Sequence, residues 1–236
     1  NQNYSWGSDM DKSIKAYATE GNYTVVESTL HDVNKIQDFS PYVSKIKSSG
    51  AETVLTGNWS NDLLLLMKAT RAAGLKVRFG TVFLDQVGNL ANAGDTALGH
   101  YISHAFNIEA NDEAAKFGEA YKSKTGHYPT FIEPQTTFGM RMLGEALKQT
   151  KAEDGKINIT QVALNLEKAK ITTPMGEVRM RTEDHQVVLP IVVSKVTKEA
   201  KYKVDGTDMG FSIVKRFTGD EAVNPVEASC KMKRPA

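Results

Sequence analysis

The stretch GAETVLTGNWSNDLLLLMKATRAAGLKVRFGTVFLD, residues 50–85, contains a complete strand–helix–strand unit. Glu52–Thr56 is a short strand. Ser60 then stands where it can cap the free amides of a helix, and Asp62 favours that helix's positive end. The helix runs to Gly74, and Val77–Leu84 is the next strand. Upstream, Ser40-Pro41 opens a helix whose buried face is Tyr42, Val43 and Ile46, and Gly50 ends it. Before it, Tyr23, Val25 and Val26 form a strand. Ser8–Glu20 precedes that as a helix with Met10, Ile14, Tyr17 and Ala18 on one side, stopped at Gly21. Tyr101–Phe106 adds a further strand. Strand and helix alternate, with a glycine after most helices, which argues a doubly wound α/β layer with a mainly parallel sheet. Such sheets bind ligands at the carboxyl ends of their strands. The loops concerned are Tyr4–Gly7, Gly57–Ser60 and Asp85–Asn89.

The chain has 236 residues, enough for one large domain or two lobes. Its 29 Lys and Arg against 28 Asp and Glu give a net charge of +1, no electrostatic reason to expect nucleic acid or an anionic membrane as partner. Apolar runs such as Leu63–Met67 are far short of the roughly 20 residues that cross a bilayer. A lone cysteine, Cys230, excludes a disulfide scaffold and a Cys-based zinc site within the chain. The start, Asn1-Gln2-Asn3, has neither Met nor a leader, so the expectation is a removed leader or a part of a longer chain.

The second half carries helices over Asp112–Lys124, capped by Asn111 and ended at Gly126, over Gln135–Gln149 and over Ile159–Lys168. Strands follow at Val178–Arg181, Val187–Val196 and Phe211–Phe217, with turns at Gly206 and Gly210. From Asn224 on there is little periodicity.

Catalytic signatures are missing: no G-x-S-x-G, P-loop, G-x-G-x-x-G or H-E-x-x-H occurs. His100 and His104 share a strand face, where packing or hydrogen bonding is their expected role rather than a metal site. Cys230 has no neighbouring base, and Asp184-His185-Gln186 is a turn. The three loops are more informative. They hold Tyr4 and Trp6, then Trp59, then Asp85, and the two tryptophans are all the chain has. Packing beneath the loops would occupy the rings, and solvent or a helix cap would occupy Asp85. A cleft would instead use aromatic walls and one carboxylate for a small ligand with an apolar body and an ammonium group. N-x-S/T sequons occur at Asn3, Asn22, Asn58 and Asn158, the third beside the second loop.

These motifs together resemble the periplasmic substrate-binding proteins of branched-chain amino acid ABC transporters, the leucine/isoleucine/valine-binding proteins. Asn1-Gln2-Asn3-Tyr4-Ser5-Trp6-Gly7 resembles the loop opening the family's second lobe. Ser49–Val54 resembles a strand entry, and Gly57-Asn58-Trp59 with the helix ending Ala73-Gly74-Leu75 the next ligand loop. Phe83–Asn89 resembles the segment with the ligand-binding acid. Gly176–Arg181 with Asp184-His185-Gln186 is a late signature, and Cys230-Lys231-Met232-Lys233-Arg234-Pro235 resembles one subgroup's tail.

The resemblance implies a type I periplasmic binding protein. Its two doubly wound lobes are joined by three hinge crossings, and most of the first lobe is lacking here. Residues 1–107 would be the first part of the second lobe. Residues 108–196 would return to complete the first lobe, and residues 197–236 would be the last crossing, a strand into the second lobe, and the tail. The missing N-terminal lobe segment of the same protein is then an implied partner, Cys230 has lost its own, and the exposed sheet edges should make the chain poorly stable alone. Implied ligand contacts are Tyr4, Trp6, Asn58, Trp59 and Asp85. Trp6 stands where the family commonly has Tyr, and Asp85 where it has a Glu, one methylene longer, on the ligand's ammonium.

The implied function is capture of a branched-chain or other hydrophobic amino acid in the periplasm, or outside the cytoplasm on a lipid anchor. Delivery would be to an ABC permease, with no catalysis, no cofactor and no metal. An aromatic acid or amide as ligand, and a ligand-sensing receptor ectodomain, are the alternatives. An α/β enzyme would need a phosphate loop or a base–nucleophile pair, which the chain does not display.

Overall fold

The computed structural model describes residues 1–233; Arg234 and Pro235 of the tail motif lie outside them. In chain order the helices are α1 (Ser5–Ala16), α2 (Ser40–Ser49), α3 (Ser60–Ala72), α4 (Asn89–Ala93), α5 (Asp112–Thr125), α6 (Ile132–Lys148), α7 (Ile159–Leu166) and α8 (Gly219–Ala222). The strands are β1 (Thr53–Leu55), β2 (Arg78–Thr81), β3 (Tyr101–His104), β4 (Ala152–Glu153), β5 (Lys156–Ile157), β6 (Lys170–Thr173), β7 (Gly176–Met180), β8 (Val187–Val188), β9 (Ile191–Thr197) and β10 (Gly210–Phe217). They fall into two compact units. Asn1–Ser103 with Val193–Ser212 form the first; His104–Val192 with the residues from Ile213 on form the second.

The first unit is an α/β layer on a sheet of order β1-β2-β3-β9-β10, in which β1–β2 and β2–β3 run parallel. Its core forms where α3 turns Leu63, Leu64, Leu66 and Met67 inward onto Phe39, Val43, Phe79 and Ile102. Each such side chain stabilises the fold by roughly 1.5–3 kcal/mol when fully buried. Gly50 and Gly74 adopt the left-handed conformation after α2 and α3, which only glycine enters without cost. This is the alternation read from residues 50–85.

Several details differ from the sequence reading. The first helix starts at Ser5, not Ser8, with extended Tyr4 at the N-cap position. It ends at Ala16, and the left-handed residue beyond it is Asn22 rather than Gly21. Ser40 and Ser60 lie at the first helical positions; Phe39 and Trp59 occupy the caps. Asp38 accepts the Ser40 amide at 2.9 Å, and Asp62 is wholly buried rather than solvated at the dipole end. Tyr23, Val25 and Val26 are in no strand: the Tyr23 amide donates back to the Ala18 carbonyl at 3.0 Å, and Val25 and Val26 make no backbone hydrogen bond among the described residues. Instead the Tyr23 hydroxyl donates to the Ile14 carbonyl, and Ser28 donates to Asp11, fastening the segment to α1 by side chains.

The second unit packs α6 and its Phe138 and Met142 on Ile171 and Val178 of the antiparallel sheet β6-β7-β8. Asn111 caps α5 by accepting the Ala114 amide at 2.9 Å, and Gly126 closes it. Pro190, which has no amide to donate, separates β8 from β9 where the sequence reads as one strand. The hairpin β4–β5 turns on Asp154-Gly155, both at positive φ, an Asp-Gly signal the sequence reading missed.

Candidate functional site

The site is built at one end of the first unit's sheet, from the start of α1, the loop before α3 and the loop after β2. Trp6 lies in the first turn of α1. Its indole Nε1 donates to the Gly57 carbonyl at 2.8 Å, and its ring meets the Phe83 ring edge-on, 5.5 Å between centroids. One side chain thus links all three segments. Gly57 makes this possible, for a Cβ there would stand 2.6 Å from Trp6 Nε1. Gly7 is required for a harder reason: a Cβ would fall 1.8 Å from the Gln2 carbonyl oxygen, which is backbone and cannot rotate away. The Trp59 indole donates to the Tyr4 hydroxyl at 2.9 Å, tying the two side chains together at the surface.

The third segment is fixed from a distance. Asp205 accepts the Gly88 and Leu90 amides at 2.8 and 2.9 Å, one with each carboxylate oxygen. It thereby satisfies two free donors at the start of α4, a five-residue helix. Asn89 donates to the Phe83 carbonyl at 2.8 Å, closing the loop that carries half-buried Asp85.

Beneath this rim lies a buried polar layer. Gln2, Asn58 and Asp62 are each at most 1% exposed, and His31 is 5% exposed. Gln2 Nε2 donates to Asp62 Oδ2 at 2.7 Å, and the Asn34 amide donates to the same oxygen at 2.9 Å. Asn58 Nδ2 lies 2.9 Å from His31 Nε2, and His31 Nδ1 lies 3.1 Å from the Asp32 carbonyl. The tautomer with its proton on Nδ1 satisfies both contacts.

Of the residues singled out by sequence, Tyr4 and Trp59 are hydrogen-bonded to each other. Trp6 reaches Gly57 and Phe83, two residues before Asp85. Asn58 is directed into the buried layer, on His31. Gln2, His31, Asp62 and Asp205 were not identified as site residues. Asp62 was visible only as a helix-start carboxylate, and Asp205 only as a neighbour of a turn glycine. Among the described residues no group of three or more His, Cys, Asp or Glu could hold a metal ion, and no helix is long and apolar enough to cross a membrane.

Comparison with known proteins places these observations. A family model described as "Periplasmic binding protein" matches residues 1–201. A Leu/Ile/Val-binding protein homolog 4 of Brucella abortus (strain 2308) is 57% identical over all 236 residues, and the chain spans 57% of that relative's length. The crystal structure of a leucine-, isoleucine-, valine-, threonine- and alanine-binding protein from Brucella ovis, in a closed conformation, superposes with a TM-score of 0.96 at 56% identity. It covers the whole of this chain and 60% of that one. A solute-binding protein from Rhodopseudomonas palustris BisB5, in complex with 3,4-dihydroxybenzoic acid, has a TM-score of 0.73 at 22% identity. It covers 92% of this chain and 59% of its own, and shares the fold alone.

Proposed function

The chain belongs to the periplasmic binding protein family, and from that premise we propose that it is the larger part of an extracytoplasmic solute-binding protein for a hydrophobic amino acid. Residues 1–107 are assigned to the second lobe, residues 108–196 to the first, and residues 197–236 to the last crossing, a strand into the second lobe, and the tail. The ligand is held between the lobes, which close by hinge motion, and is passed to an ABC import permease. The work is binding, without chemistry on the solute.

The observation that carries this reading is the aromatic rim of Tyr4, Trp6 and Trp59 beside a loop, fixed by Asp205, that contains half-buried Asp85. Asp85 is the counter-charge for the ligand's ammonium, and the rings cover its apolar side chain. The sequence relatives named for leucine, isoleucine and valine support the same ligand class. Asn58 acts from below, holding the loop through His31.

The test is isothermal titration of the complete, ligand-stripped protein with leucine, phenylalanine and benzoate, each repeated on Asp85→Asn. Loss of one partner of a desolvated charge pair costs about 2–5 kcal/mol, so leucine affinity should fall by at least about 30-fold. Tight benzoate binding that ignores the substitution would overturn the amino-acid assignment and make the tryptophans the determinants of an aromatic-acid site.

A further inference from the structure

Asp62 stands in the first turn of α3, three residues after Trp59. A carboxylate there ordinarily accepts a free amide of its own helix, or faces water at the positive end of the dipole. This one does neither. It is 1% exposed, and both of its hydrogen bonds leave the helix. The Gln2 side chain donates to Oδ2 at 2.7 Å and the Asn34 amide donates to the same oxygen at 2.9 Å, while Oδ1 is buried without a partner among the described residues. Burying a carboxylate is costly unless its bonds compensate, and here the compensation comes from segments 60 and 28 positions away.

The segments that meet at Oδ2 are those that carry or support the aromatic rim. Gln2, wholly buried, lies two residues before Tyr4, and its Nε2 also donates to the Trp59 carbonyl at 3.4 Å. Asn34 holds a left-handed φ of 54° in the turn after His31, and the Asn58 side chain rests on His31. The helix that bears Asp62 starts directly after Trp59. The Tyr4 and Trp59 segments are therefore joined twice. The outer link, from the Trp59 indole to the Tyr4 hydroxyl, is exposed, where water competes for both groups. The inner link, from Gln2 to Asp62, is buried and charge-assisted, about twice as strong as a neutral bond.

We propose that Asp62 is the positioning residue of the rim. It touches no ligand. Through Gln2 it sets where Tyr4 stands relative to Trp59, and through Asn34 it fixes the turn whose His31 supports Asn58. Binding groups need to be held within about 0.5 Å by the residues behind them, and the exposed Tyr4–Trp59 bond forms only when the buried layer has brought the two rings into reach.

The experiment uses the complete, ligand-stripped protein labelled with ¹⁵N, the indole N–H signals of Trp6 and Trp59 being assigned with Trp6→Phe and Trp59→Phe. Tyr4→Phe removes the outer acceptor and shows where the Trp59 signal moves when that bond is lost. Asp62→Ala and Gln2→Met should move the Trp59 signal in the same way and speed its exchange with water by about tenfold. The Trp6 signal, whose partner is the Gly57 carbonyl, should stay, as should protection of the Leu63 and Met67 amides in α3. Asp62→Asn keeps an oxygen for both donors and should return most of the effect. The leucine Kd should rise by about tenfold in Asp62→Ala and in Gln2→Met, and the double variant should bind no more weakly than Asp62→Ala alone. This affinity arm rests on the amino-acid reading of the site. The indole signals are read without ligand, so leucine failing to bind the unaltered protein would sink that reading and leave this test intact. An unmoved Trp59 signal, equal changes at both indoles, or additive losses of affinity would each overturn the proposal. So would Asp62→Asn behaving as Asp62→Ala, which would assign the effect to the buried charge. Where Asp62→Ala fails to fold, Gln2→Met, which leaves the Asn34 bond in place, decides by the same signals.

Discussion

His100 couples the stability of the first unit to pH. It accepts the Phe79 amide at 3.3 Å on Nδ1, and its ring meets the Phe79 ring edge-on at 5.1 Å. Burial is the largest influence on it and pushes its pKa below the usual 6.5, partly opposed by a hydrogen bond with the Thr96 backbone. The folded state therefore binds a proton less readily than the unfolded chain. Above about 6.5 the ring is neutral in both states and its contribution is complete. As pH falls below that value the unfolded chain takes up the proton first, and stability is lost until the folded ring is protonated too. The urea midpoint of the first unit should drop between pH 7.5 and 5.5, and His100→Gln should reduce the drop. An equal drop in both proteins would assign the dependence to other groups.

At the scale of elements, the loop after β2 and the short helix α4 depend on a carboxylate more than a hundred residues away. Asp205→Ala leaves two amides of the α4 start without their acceptor, each worth about 1–3 kcal/mol where water cannot replace it. The expected outcome is faster hydrogen exchange at Gly88 and Leu90 and weaker ligand binding, with the core of α3 and β2 unaffected. Global unfolding on this substitution would refute a local positioning role. The same contrast explains what could be read from the chain. The β1–α3–β2 unit was legible because its information is local: an apolar stripe, a β-rich run at each end, and glycines at the two left-handed helix ends. Trp59 and Asp85 were legible as loop residues for the same reason, whereas Trp6, read as a loop residue, lies in the first turn of α1. Asp205 was not, nor was the pairing of Gln2 with Asp62, 60 positions apart, because contacts at that separation leave no periodic trace. Tyr23–Val26 misled in the opposite sense. The composition is that of a strand, but a strand exists only with a neighbour to pair with, and composition does not reveal whether one is present.

At the scale of the whole molecule, the described residues form two hydrophobic clusters with no shared member. One is centred on Leu63, Met67, Phe79 and Ile102, the other on Phe138, Met142, Ile171 and Val178. They lie in different compact units, and each unit is assembled from two separate stretches of sequence. Cooperativity follows shared packing, so two units with separate cores need not melt together, and a single unfolding free energy would not describe the chain. Calorimetry should resolve two transitions. Leu63→Ala and Met142→Ala each remove a side chain at most 1% exposed, at a cost of about 2–5 kcal/mol to the core that held it. Leu63→Ala should lower only one transition and Met142→Ala only the other. A single transition lowered equally by both would mean that the two cores unfold as one, and that the division seen in the packing is not a division in stability.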